Sequence, residues 1–67
     1  MNDNLHSLSR RLIELRMEHA DLDSLIDRAA IERPDDELVL RRLKKRRLAL
    51  RDQICHLEAE LDPPEPA

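Results

Sequence analysis

Apolar residues recur at alternating spacings of three and four through the first half of the chain. They are Leu5, Leu8, Leu12, Leu15, Leu22, Ile26 and Ala29, with His19 holding one place in the series. The second half repeats the pattern with Leu40, Leu43, Leu50, Ile54, Leu57 and Leu61, and Arg47 holds one place there. Such spacing gathers each series into one stripe on an α-helix, the narrow seam of a coiled coil. Pro34 separates the two runs, and the residue before a proline is pushed out of the helical region. The pattern predicts one domain over residues 1–67, with a first helix over about 4–31 and a turn over about 32–35. A second helix follows over about 35–61, and Asp62-Pro63-Pro64 opens a disordered tail over 62–67. Asn2, Asp3 and Asn4 offer acceptors to the first amides of the first helix. Pro34 can open the second, with Asp35, Asp36 and Glu37 at the positive end of its dipole.

A turn this short makes the helices antiparallel neighbours, so facing residues carry numbers that sum to about 66. Leu5 then meets Leu61, Leu12 meets Ile54, and Ile26 meets Leu40. Beside the seam, Glu18 faces Arg46, Asp23 faces Lys44, and Leu25 faces Val39, while Arg16 with Arg51 is a like-charged exception. The two polar residues within the seam, His19 and Arg47, also sum to 66 and are expected to meet at mid-length. A polar seam position fixes register at some cost in stability. A neutral His19 can accept a hydrogen bond from the Arg47 guanidinium, with Glu18 or a partner's carboxylate completing the network.

Composition narrows the fold to all-α. The chain has no aromatic residue and no glycine, whereas a sheet wants aromatics, β-branched residues and glycine in its turns. Its single cysteine, Cys55, excludes an intrachain disulfide and fits a reducing cytoplasm. Met1 to Ser9 is polar and reads as no signal peptide, and no stretch approaches the roughly 20 apolar residues of a membrane span. The expectation is a cytoplasmic protein without a membrane role.

Several runs resemble the YdcH-like family of small bacterial proteins. They are Glu18-His19-Ala20-Asp21-Leu22-Asp23 followed by Ile26, then Leu43-Lys44-Lys45, Leu48 and Leu50-Arg51-Asp52-Gln53-Ile54. The likeness covers Leu12 to Leu57. Arg47 stands where the family usually has lysine, and the turn carries Arg33-Pro34-Asp35-Asp36. The resemblance implies a short helical hairpin in a bacterial cytoplasm. It implies no activity, since the family has none to carry over.

Candidate chemistry is sparse. No cofactor and no metal are expected: His6, His19 and His56 are far apart, and Cys55 and His56 point in different directions, whereas zinc wants converging ligands. No nucleophile sits beside a base and no glycine loop cradles phosphate, so an enzyme is not expected. The basic run Arg41 to Arg47, with Arg51 beyond it, is the strongest functional signal. Arg41, Arg42 and Lys45 are its candidate nucleic-acid contacts. Its charges point all round the helix, acidic residues (Glu18, Asp21, Asp23, Asp27) stand opposite, and no aromatic is present to stack on a base. Charge pairing is the preferred role, with a nucleic-acid-associated protein as the alternative. The net charge of −3 also argues against a general polyanion binder.

One flank of the hairpin is apolar outside the seam: Ile13, Met17 and Ala20 lie on the same side as Leu48 and Cys55. The other side carries Glu14, Asp21, Arg28, Arg42 and His56. A surface of this kind wants covering. Pairing of two hairpins through it makes a homodimeric four-helix assembly, and the function expected is protein–protein interaction or self-association.

Overall fold

Two helices account for nearly all of the described residues in the computed structural model, which describes the backbone of residues 4–62 and the side chains of 7–62. Helix α1 spans Asn4–Glu32 and helix α2 spans Glu37–Leu61, packed against each other as a hairpin. No strand occurs among the described residues. The caps offered by Asn2, Asp3 and Asn4, the partnership of Leu5 with Leu61, the place of His6 and the tail from Pro63 lie outside the described residues or side chains.

The turn is built from four residues. The Arg33 amide still donates to the Ala29 carbonyl at 2.8 Å, and the Asp36 amide closes back onto the Arg33 carbonyl at 3.1 Å. Pro34 therefore occupies the second position of a β-turn, where its fixed φ suits the chain, and does not open the second helix. That task falls to Asp36, whose carboxylate accepts from the Val39 amide at 3.2 Å. This side-chain cap satisfies an amide that the first helical turn leaves without a partner. Glu37 adds negative charge at the positive end of the α2 dipole.

The two stripes are the core. Leu12, Leu15, Leu22 and Ile26 of α1 and Leu50 of α2 are buried. Leu15, Leu22 and Leu50 form one cluster with Leu43, Ile54 and Leu57 packed on it. Every other described stripe position, including His19 and Arg47, is half-buried. Off the stripes, only Asp23, Asp36, Val39 and Glu58 are drawn in that far. A heptad seam between two helices has this outcome, because each helix has one neighbour and only one strip to bury. Leu25 corrects the sequence expectation: it is 43% exposed and does not extend the core toward Val39.

With so few buried side chains, each carries a large share of stability. Leu15 is 1% exposed, and cutting a buried leucine to alanine costs about 2–5 kcal/mol. Leu15→Ala is therefore expected to abolish cooperative melting by far-ultraviolet circular dichroism, whereas Asp36→Ala, losing a cap worth about 1 kcal/mol, should only lower the midpoint. A Leu15→Ala midpoint within a few degrees of the parent's would contradict this account of the core.

Candidate functional site: a charged groove beside the seam

One side of the hairpin carries an open groove of about 740 Å³ between the helices. Arg16, His19 and Asp23 form its α1 wall, and Lys44, Arg47 and Arg51 stand on the α2 side. Heptad geometry explains the selection. Arg16 and Asp23 each follow a seam residue (Leu15 and Leu22) by one, as Lys44 and Arg51 follow Leu43 and Leu50. In an antiparallel pair, the positions just beside the two seams meet on the same side.

At the centre of the groove, Asp23 joins the two polar seam residues. Its Oδ1 accepts from the Arg47 guanidinium at 2.9 Å. Its Oδ2 lies 3.4 Å from Nδ1 of His19, one helical turn away on α1. His19 and Arg47 thus share one carboxylate, in place of the expected direct hydrogen bond. Asp23 is consequently taken by Arg47 rather than by Lys44. Because Arg47 and Asp23 keep 36% and 46% of their side-chain surface in solvent, the pair is worth at most about 1 kcal/mol. Its value is positional: it ties one seam residue of α2 to one flank residue of α1.

The remaining charges divide between the two sides of the seam. Arg16, expected beside Arg51, reaches Glu58 instead, with its guanidinium donating to the carboxylate at 2.6 Å. On the opposite side, Arg46 lies 3.9 Å from Glu18, the expected pair in a loose form. Lys44 and Arg51 form no ion pair among the described residues, and neither do Arg41, Arg42 and Lys45, all of them exposed. The basic run is therefore partly absorbed: Arg46 and Arg47 have acidic partners, and the other five cations do not.

Leu48 and Cys55 line the α2 side of the groove, and both are exposed. Ile13 and Ala20, three residues before Arg16 and Asp23, continue that side on α1 with Met17 between them. Ile13, Met17 and Leu48 expose 57%, 63% and 66% of their surface, high values for large apolar side chains. The apolar flank and the charged groove are one continuous surface. On the far side, His56 Nε2 lies 3.6 Å from the Asp52 carboxylate, and both side chains are open to solvent. No three His, Cys, Asp or Glu side chains converge among the described residues. No described helix is long and apolar enough to cross a membrane.

A family model described as a protein of unknown function (DUF465) matches residues 12–58, the stretch that holds both walls of the groove and most of the seam. No curated protein and no solved structure matches the chain.

If His19 is a seam position occupied by a polar side chain, filling it with leucine should strengthen the hairpin. His19→Leu is expected to raise the melting midpoint by about 5 °C, the response of a small domain to about 1 kcal/mol. A fall of similar size would show that His19 is held by interactions that a seam position does not need.

Proposed function

The chain belongs to the DUF465 family, which includes YdcH, and from that premise and the hairpin's geometry we propose a non-enzymatic helix-docking module. Its docking face is the apolar flank of Ile13, Met17, Ala20, Leu48 and Cys55 with the groove between them. The observation that carries the reading is the exposure of Ile13, Met17 and Leu48 on one side of a hairpin whose seam is already filled. A groove open along its length gives a reacting group no shelter from water, which favours docking over catalysis. The exposed free thiol of Cys55 fits a reducing compartment such as the cytoplasm.

Two occupants suit such a face: a second copy, giving a homodimeric four-helix assembly, or a helix of another protein. Either one is removed by Leu48→Glu, a change at an exposed position that leaves the seam intact. Sedimentation of the chain and affinity purification from its native host, each run beside Leu48→Glu and Ile13→Glu, test the module. A self-associated or captured species present with the parent and absent with both variants is the expected outcome. Identical behaviour of all three chains overturns it.

The exposed trio Arg41, Arg42 and Lys45, without acidic partners among the described residues, supports a second reading as a nucleic-acid-associated protein. Duplex binding that survives physiological salt and is lost when the three are changed to glutamate would establish it. Binding confined to low salt reduces it to nonspecific attraction.

A further inference from the structure

We propose that the groove of the docking face is made for an acidic amphipathic helix of another protein and not for a second copy of this chain. The inference rests on the docking-module reading and names its partner. The groove is lined by four cations, Arg16, Lys44, Arg47 and Arg51, against two carboxylates, Asp23 and Glu58. Both carboxylates are engaged, Asp23 by Arg47 and Glu58 by Arg16. The surplus charge therefore rests on Lys44 and Arg51, which have no acidic partner among the described residues. This is a local cationic strip on a chain whose net charge is −3.

Symmetry turns that strip into a discriminator. Helix α1 is centred on Glu18 and α2 on Ala49, so the cations sit at mid-length of the hairpin. In a two-fold dimer the same patch is used by both subunits. When the second hairpin overlaps the first along its whole length, in either direction, mid-length meets mid-length and the strip faces its own image, and a staggered pair escapes this only by giving up overlap of the apolar flank. Like charges brought together while losing solvent cost free energy that the apolar flank must overcome. An acidic helix meets no such cost.

The spacing specifies the ligand further. Lys44 and Arg51 are seven residues apart, about 10.5 Å along the helix at 1.5 Å per residue. Leu48 lies between them in sequence, and Cys55 follows one turn after Arg51. A partner helix that places carboxylates seven residues apart beside an apolar stripe matches both the cations and Leu48. A polyphosphate backbone matches the cations alone and leaves Leu48 and Cys55 in contact with water.

The test uses two synthetic peptides of about three heptads with leucine at the seam positions, one flanked by glutamate and the other by lysine. Each repels its own copies, so each is available to the hairpin. Titration calorimetry with the full chain is expected to give the glutamate peptide an affinity about tenfold higher than the lysine peptide, a difference of about 1.4 kcal/mol. Lys44→Glu/Arg51→Glu should reverse the preference, and Leu48→Glu should abolish both bindings. The substituted residues are exposed, and circular dichroism checks that the variants keep the hairpin. Equal affinity for the two peptides overturns the proposal. So does a stable dimer of the chain that Leu48→Glu dissociates, which leaves the docking module standing with a second copy as its occupant. A duplex oligonucleotide that binds through Lys44 and Arg51 while neither peptide does overturns it in favour of nucleic acid. No engagement of peptide, duplex or second copy removes the docking module itself.

Discussion

Everything in this hairpin depends on the contact between two narrow apolar stripes. A helix in a larger bundle packs against several neighbours, but each helix here has one. The cluster of Leu15, Leu22 and Leu50 with Leu43, Ile54 and Leu57 is accordingly both the core and the interface that defines the fold. Among the described residues five are buried and the other stripe positions half-buried, which leaves most of the outward surface of both helices in solvent. The fold and the exposed apolar flank follow from the same geometric economy, since a two-helix unit cannot bury more than one strip of each helix.

Charge placement follows from the seam as well. Once the apolar stripes set which residues sit beside the contact, the flanking positions fall on two sides. Glu18 and Arg46 come together on one side, and Arg16, Asp23, Arg47 and Glu58 on the other. None of these pairs is buried enough to contribute much stability. They act on specificity: a slip of either helix along the other would separate Asp23 from Arg47 and Arg16 from Glu58 together. Polar His19 and Arg47 in the seam cost apolar contact, and Asp23 keeps both of them satisfied from a flank position.

The sequence made the seam legible because a heptad pattern is a property of spacing alone. All the described members of both stripes are buried or half-buried, and the antiparallel pairing of Glu18 with Arg46 could be read by adding residue numbers. Reading failed where a side chain's reach decides the partner. Register pairs Asp23 with Lys44, but its short carboxylate lies nearer the seam and meets the Arg47 guanidinium extending outward from it. Arg16 escapes Arg51 because a long flexible side chain can travel along the groove to Glu58. The spacing of four between His19 and Asp23 was visible and pointed to the contact that forms. The turn differs for a local reason: Pro34 suits both a helix start and a β-turn, and the Asp36 side-chain cap settles the matter. Leu25 shows the limit of counting, since a residue opposite an apolar partner is not covered when the helix surface curves away from the contact.

A two-helix fold can be selective only through the pattern on its surface. Selectivity in an enzyme pocket comes from enclosure, which strengthens each electrostatic contact by removing water. An open surface between two helices lacks that, so it must rely on pattern: which charges lie at which level, and which apolar side chains lie between them. Leu48 and Cys55 on α2, Ile13 and Ala20 on α1, and the cations between them set such a pattern over the middle of the hairpin. This also explains how an acidic chain can carry a cationic strip without contradiction. Carboxylates such as Glu14, Asp21, Asp27 and Glu60 are exposed outside the groove, where they keep the net charge negative while the groove itself stays positive. The separation of charge between the groove and the rest of the surface, rather than the total, decides what the hairpin can attract.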